Sequence, residues 1–216
     1  MTNLNLRSAL WLLVGVSAVA WLGVARVSGL DLSQAADFLS IVPNVVTVDL
    51  LVVTVFVKWG WRLRLFHGWL VHFPDLTGTW VGSIQSEWIN PQTNHPLPPI
   101  PAMLTVKQSF FHVSCVMHTA EMRSHSYVEG FLIDKDRQIR QLAYGYTSRP
   151  RISVADRSAP HDGSVLFDVI EKPRRKLKGR YWTERKTTGE IDLTFRTHDL
   201  LEELPERSSD HPMRAQ

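Results

Sequence analysis

Two short runs carry residues able to do chemistry: Tyr144-x-Tyr146-x-x-Arg149 and Tyr181-x-Thr183-x-Arg185. Tyrosine rings offer faces on which flat rings stack, while threonine hydroxyls and arginine guanidiniums donate hydrogen bonds to anionic oxygens. A spacing of two puts such residues on one side of a β-strand. In the second run Leu177, Gly179, Tyr181, Thr183 and Arg185 share a side, with Lys176, Lys178, Arg180, Trp182 and Glu184 on the other. The charged side must face water, which turns Tyr181, Thr183 and Arg185 inward, Arg185 near a mouth. Leu142, Tyr144, Tyr146 and Ser148 likewise share a side, as do Trp80, Ile84 and Ser86, and Arg149 follows Ser148. Each residue also has a structural reading. The tyrosines can be core filler with a bonded polar tip, Arg185 can pair with a rim carboxylate, and Arg149 can be a solvated loop residue.

Catalysis finds no support. Glu129 and Glu184 form no recognisable acid pair, and the serines, histidines and aspartates follow no nucleophile motif. The nine histidines lack the i, i+4 or Cys-rich spacing of a zinc site, so no metal is predicted. Cys115 is the lone cysteine and can form no internal disulfide. Lys plus Arg number 24 against 21 for Asp plus Glu, an excess too small to indicate DNA or RNA.

The elements that must position these residues are strands. Period-two alternation begins at Leu76, Gly78, Trp80, Gly82 and Ile84 and recurs at about 102–109, 112–119, 124–133, 138–147, 164–170, 176–185 and 190–196. Short turns at Asp134-Lys135-Asp136 and Thr187-Thr188-Gly189 make sequence neighbours antiparallel. A Pro-rich loop fills 90–101, and a longer one 149–162. The expected fold is an eight-stranded antiparallel up-and-down β-barrel over 76–198, because closure leaves no exposed edge. A two-sheet sandwich is the alternative. Residues 199–216 read as a short helical turn at Leu200-Leu201 and then a disordered tail.

Ahead of the barrel stand two apolar segments, 9–25 without charge and 38–57 with only Asp49. Both meet the roughly 17–25 residues a membrane helix needs, which predicts a transmembrane hairpin over 1–58. The competing reading of the first is a secretory signal cleaved after Ala18-Val19-Ala20. Lys58, Arg62 and Arg64 follow the second segment, while the connecting loop holds Arg26, Asp31 and Asp37. The positive-inside rule then puts both termini and the barrel in the cytoplasm, with Trp11, Trp21, Trp59, Trp61 and Trp69 as interfacial anchors. Asp49 falls near mid-membrane, where a carboxyl costs about 2.5–3.5 kcal/mol and usually meets a partner helix, making it the candidate for oligomerisation. A carboxyl that stays protonated in one marginal span is the plainer alternative. Residues 59–75 form a juxtamembrane collar of aromatic and basic residues suited to lipid headgroups, and Lys172-Pro173-Arg174-Arg175-Lys176 reads as a solvated hairpin tip or a further headgroup contact.

These pieces, in order, resemble a known family. A membrane hairpin precedes Leu76-x-Gly-x-Trp80-x-Gly82, Leu142-x-Tyr144-x-Tyr146-x-x-x-Pro150, His161-x-Gly163 and Leu177-x-Gly179-x-Tyr181-Trp182-Thr183-x-Arg185-x-Thr187-x-Gly189-x-Ile191-x-Leu193. The arrangement resembles the two-transmembrane β-barrel effectors of CBASS, the bacterial antiphage systems built on cyclic oligonucleotide signals, also called CD-NTase-associated membrane β-barrel effectors. The resemblance implies a non-catalytic effector of the bacterial inner membrane with no cofactor. Its barrel would bind a cyclic dinucleotide made by a partner CD-NTase, its helices would assemble into a homo-oligomer, and the membrane would be disrupted. Tyr144, Tyr146, Arg149, Tyr181, Thr183 and Arg185 are then the candidate pocket. A membrane-tethered, lipocalin-like carrier of an apolar molecule is the other class of function, and it would need an almost wholly apolar interior.

Overall fold

Alternating apolar residues drive eight strands to roll around one interior. In the computed structural model, which describes residues 6–29, 35–91, 94–155 and 158–204, they are β1 (Gly78–Ser86), β2 (Ile100–Gln108), β3 (Val113–Thr119) and β4 (Met122–Asp134), followed by β5 (Ile139–Pro150), β6 (His161–Ile170), β7 (Lys176–Thr183) and β8 (Thr188–Thr197). Each pairs antiparallel with the next, and β8 returns to β1, so the barrel is closed and up-and-down. The chain divides into two units, Met1–Pro74 and Asp75–Gln216.

The barrel end where β1 begins is filled. Trp80, Leu104, Leu142, Phe167, Leu177 and Leu193 are fully buried there. The Trp80 indole N–H donates to the Leu76 carbonyl at 3.0 Å, and the Leu76 N–H donates to Gln108 Oε1 at 2.8 Å. Arg175 closes this end: its guanidinium lies 5.2 Å from the Trp80 ring centre and 4.1 Å from that of Phe195, and donates to the Asp75 carbonyl at 2.6 Å. The expected hairpin tip thus folds one of its arginines onto aromatic faces, where a weakly hydrated guanidinium gains contact with the ring quadrupole. With this end plugged, ligand space can exist only toward the other.

Two further differences from the sequence expectation matter. A bulge at Tyr127 breaks the β4–β5 register between Ser126 and Val128. It brings both Ser126, opposite Tyr146, and Glu129, opposite Tyr144, to the inner side, where the Ser126 hydroxyl donates to the Glu129 carboxylate. Residues 199–204 form an irregular segment with bends at Asp199 and Glu203 rather than a helical turn. Leu201 N–H donates to Thr79 Oγ1 at 3.0 Å and Thr105 Oγ1 donates to the Leu201 carbonyl at 2.8 Å, so backbone groups that a helical turn would satisfy locally are bonded to β1 and β2. The disordered tail expected beyond Leu204 lies outside the described residues.

In the N-terminal unit α1 spans Leu6–Ser28, and the second apolar segment forms α2 (Ala35–Ser40) and α3 (Val42–Lys58), not one continuous helix over 38–57. Pro43 is the reason. Inside a continuous helix it would leave the Leu39 carbonyl without its donor and press its ring against it, whereas in the first turn of a new helix the missing N–H costs nothing. By length and composition α1 is the one helix among the described residues able to cross a membrane; α3 has 17 residues. α1 meets both pieces of the second segment. Ser17 Oγ donates to Asp49 Oδ2 at 2.6 Å, and Trp21 stacks on Phe38 with centroids 4.0 Å apart. Trp11, Trp59 and Trp69 are exposed, whereas Trp61 is buried with its ring 5.4 Å from Phe73 and so is no surface anchor. The collar winds through 3₁₀ turns at Gly60–Arg62 and Arg64–Phe66.

Candidate functional site in the barrel mouth

The open half of the barrel encloses a cavity of about 410 Å³. Its deep wall is apolar, with Met117, Val165 and Ile191; its middle carries Tyr144, Tyr146 and Tyr181; its rim carries Thr183 and Arg185 together with Ser158 and His161. A pocket of this size falls within the range that takes one small ligand, and its mixed lining suits one with both flat and charged parts.

Two glycines on neighbouring strands make room for the aromatic rings. A Cβ at Gly163 would stand 2.6 Å from both the Tyr146 Cζ and its hydroxyl oxygen, and a Cβ at Gly189 would stand 2.7 Å from Tyr181 Cε1 and 2.2 Å from the Gln85 carbonyl oxygen. Gly163 pairs with Tyr146 and Gly189 with Tyr181. Each ring therefore lies across a bare stretch of the adjacent backbone, as aromatics do over sheet glycines. This accounts for the glycine in His161-x-Gly163 and in the final hairpin.

Burial raises the phenols of Tyr144, Tyr146 and Tyr181, keeping all three protonated at neutral pH; at Tyr181 a hydrogen bond to Ser86 opposes the rise. Tyr144 is 3 % exposed and Tyr146 8 %, so each shows the cavity little more than an edge. Burial lowers the His161 imidazole, partly offset by its contact with the Ala159 carbonyl. That oxygen, 3.2 Å from Nδ1, can only accept, so the proton of the neutral ring sits on Nδ1 and Nε2 is left as an acceptor. Thr183 and Thr187 share a hydroxyl–hydroxyl bond of 2.6 Å across the β7–β8 turn. Among the described residues Arg185 makes only long contacts, 3.3 Å to the Ala159 carbonyl and 3.4 Å to Ser158 Oγ, which leave most of its five N–H donors open to another partner.

The structure brings Tyr144, Tyr146, Tyr181, Thr183 and Arg185 together around one cavity and leaves Arg149 out of it. The expected loop does not start at 149, because β5 continues to Pro150 and the strand parity persists. Arg149 therefore points away from the interior, opposite Arg123 on β4, and lines a separate depression on the outer wall. His161 and Ser158 escaped sequence reasoning because the span 149–162 reads as loop. Starting the sixth strand two residues before Gly163 would have put His161 on the inner side.

A family model described as the Cap15 cyclic dinucleotide receptor domain matches residues 71–195. The chain belongs to the Cap15 family. The match covers all of β1 to β7 and most of β8, so the barrel is the receptor domain, and its ligand class is a cyclic dinucleotide. Together with the closed barrel and the apolar N-terminal helix, it fits a CBASS membrane β-barrel effector. A search of curated proteins found no match. Among the described residues no group of three or more His, Cys, Asp or Glu side chains converges as a metal site would require.

Proposed function

We propose that this Cap15 barrel binds its cyclic dinucleotide in the mouth cavity, without catalysis, and that binding drives the N-terminal helices to assemble and breach the inner membrane of the infected cell. The observation that carries this reading is the cavity itself, in which aromatic edges and hydroxyls converge beneath the unsated guanidinium of Arg185. Tyr146 and Tyr181 contact the bases, His161 Nε2 accepts from a base N–H, and Thr183 and Arg185 hold phosphodiester oxygens. A partner CD-NTase supplies the ligand. The polar rim argues against an apolar-molecule carrier, since a lipid would leave those donors desolvated.

In this reading α1 and the broken second segment, α2 with α3, form a two-span hairpin with both termini cytoplasmic. Its support is the packing of α1 on α3 through Ser17–Asp49 and on α2 through Trp21–Phe38, together with the basic residues Lys58, Arg62 and Arg64 after α3. Homo-oligomerisation uses Asp49, whose Oδ1 is buried without a hydrogen-bond partner while Oδ2 is held by Ser17. A second copy can satisfy that oxygen.

The test is calorimetric titration of the detergent-solubilised chain with a panel of cyclic dinucleotides and a fatty acid. One dinucleotide should bind. Arg185→Ala should weaken it by about tenfold or more, because a charge-assisted bond to a phosphate is worth about 1.5–3 kcal/mol. Deleting residues 1–58 should preserve affinity and abolish toxicity. Binding of the fatty acid alone, or normal affinity in folded Arg185→Ala, would overturn the assignment.

A further inference from the structure

We propose that the outer wall of the barrel carries a second binding site, for a phosphate-bearing anion, built from Arg123, Arg149 and Arg151. This inference stands apart from what the mouth cavity binds. The three arginines line one depression of about 590 Å³ beside His118. The β-ladder fixes their positions: Arg123 faces Arg149 directly across β4 and β5, and His118 faces Arg123 across β3 and β4. Arg151 is tied in by its own N–H, which donates to the Glu121 carbonyl at 2.9 Å.

Like charges directly opposed across a sheet destabilise it. Elsewhere on this barrel the outer charges are complementary: Lys178 pairs with its register partner Asp192 at 2.9 Å, and Arg140 with Glu171 at 2.7 Å. Among the described residues no carboxylate lies within ion-pair distance of Arg123, Arg149 or Arg151, although Glu202 and Glu203 border the depression. Burial comes first in lowering the imidazoles of His118 and His125, the arginine charges add to it, and Glu203 opposes the shift at His118. Among the described residues the depression thus carries a surplus of positive charge that a bound anion would neutralise. Planar guanidiniums in one concavity match a tetrahedral anion with several oxygens, which can take bidentate bonds from more than one of them. A free phosphoanion and a phospholipid headgroup share that chemistry.

The experiment uses the full chain in non-ionic detergent, titrated separately with inorganic pyrophosphate and with dihexanoyl phosphatidylglycerol. Wild type should bind at least one probe, more weakly as salt rises. The double variant Arg123→Gln/Arg149→Gln should lose about tenfold or more in affinity, and Arg185→Ala should lose none. Binding of pyrophosphate alone identifies a free phosphoanion; lipid binding that pyrophosphate competes away identifies a headgroup. Without probe, the double variant should melt no lower than wild type, because repulsion has been removed. Should it fail to fold, Arg151→Gln replaces it with the same expectation for affinity. The proposal is overturned if neither probe binds, if the arginine variants bind as wild type does, or if Arg185→Ala abolishes binding equally.

Discussion

Gly163→Ala tests whether the site tyrosines are seated as the backbone indicates. The added methyl would meet the Tyr146 Cζ and hydroxyl oxygen at 2.6 Å and the Trp182 carbonyl oxygen at 2.7 Å, all far inside van der Waals contact. The Tyr146 ring is hemmed in by Tyr144, with centroids 6.1 Å apart, and by His161 at 6.4 Å, so it cannot swing aside freely. Overpacking of this kind costs about 1–3 kcal/mol. For a unit of this size the melting temperature should fall by roughly 3–12 °C. If Tyr146 contacts a base, its displacement should weaken cyclic dinucleotide binding by about 5- to 150-fold, the equivalent of one stacking contact of about 1–3 kcal/mol. Thermal unfolding and calorimetry on the same preparation read both effects. A double-mutant cycle isolates the cause. In a Tyr146→Ala background the clash with the ring is gone and only the Trp182 carbonyl remains, so Gly163→Ala should cost about 1 kcal/mol less than in wild type. Additive effects, within about 0.5 kcal/mol, would show that Gly163 does not seat Tyr146 and would refute the account of the site given above.

Asp49→Leu should leave membrane insertion intact and reduce cross-linked oligomers, whereas Ser17→Ala, by freeing the carboxyl that Ser17 now holds, should increase them; identical cross-linking in both variants would make the pair a bystander. The folded protein keeps His161 neutral, with its affinity for a proton below the ordinary value of 6.5, so the unfolded chain binds more protons as pH falls past 6.5. Stability should be fully present above that pH and decline between it and the lowered folded value. His161→Gln should flatten the decline in melting temperature between about pH 7.5 and 5.5, with the remainder carried by His118 and His125, and a slope equal to wild type would show that His161 is not buried neutral.

The sequence by itself determined the strand content and the antiparallel meander, because period-two alternation is a local property and short turns pair a strand with the next. The choice of a closed barrel over a two-sheet sandwich rests on the pairing of β8 with β1. The same alternation sufficed to put Tyr144, Tyr146, Tyr181 and Thr183 on interior sides, since a side chain's direction depends only on parity within an unbroken strand. β7 ends at Thr183, however, and Arg185 reaches the rim from the exposed turn that follows, not from the strand expected to run to 185. Parity fails as a guide wherever an end or a break is not visible in the letters. Arg149 turned outward because β5 runs on to Pro150, and Glu129 turned inward because an extra residue at Tyr127 resets the count. Tertiary structure alone decided which half of the barrel is hollow. Trp80, Phe195 and Arg175 come from β1, β8 and the β6–β7 turn, and only closure of the sheet stacks them into a plug. Closure likewise decided that Tyr146 and Tyr181 lie over Gly163 and Gly189, a fit made by residues distant in sequence whose spacing along the chain carries no trace of their register.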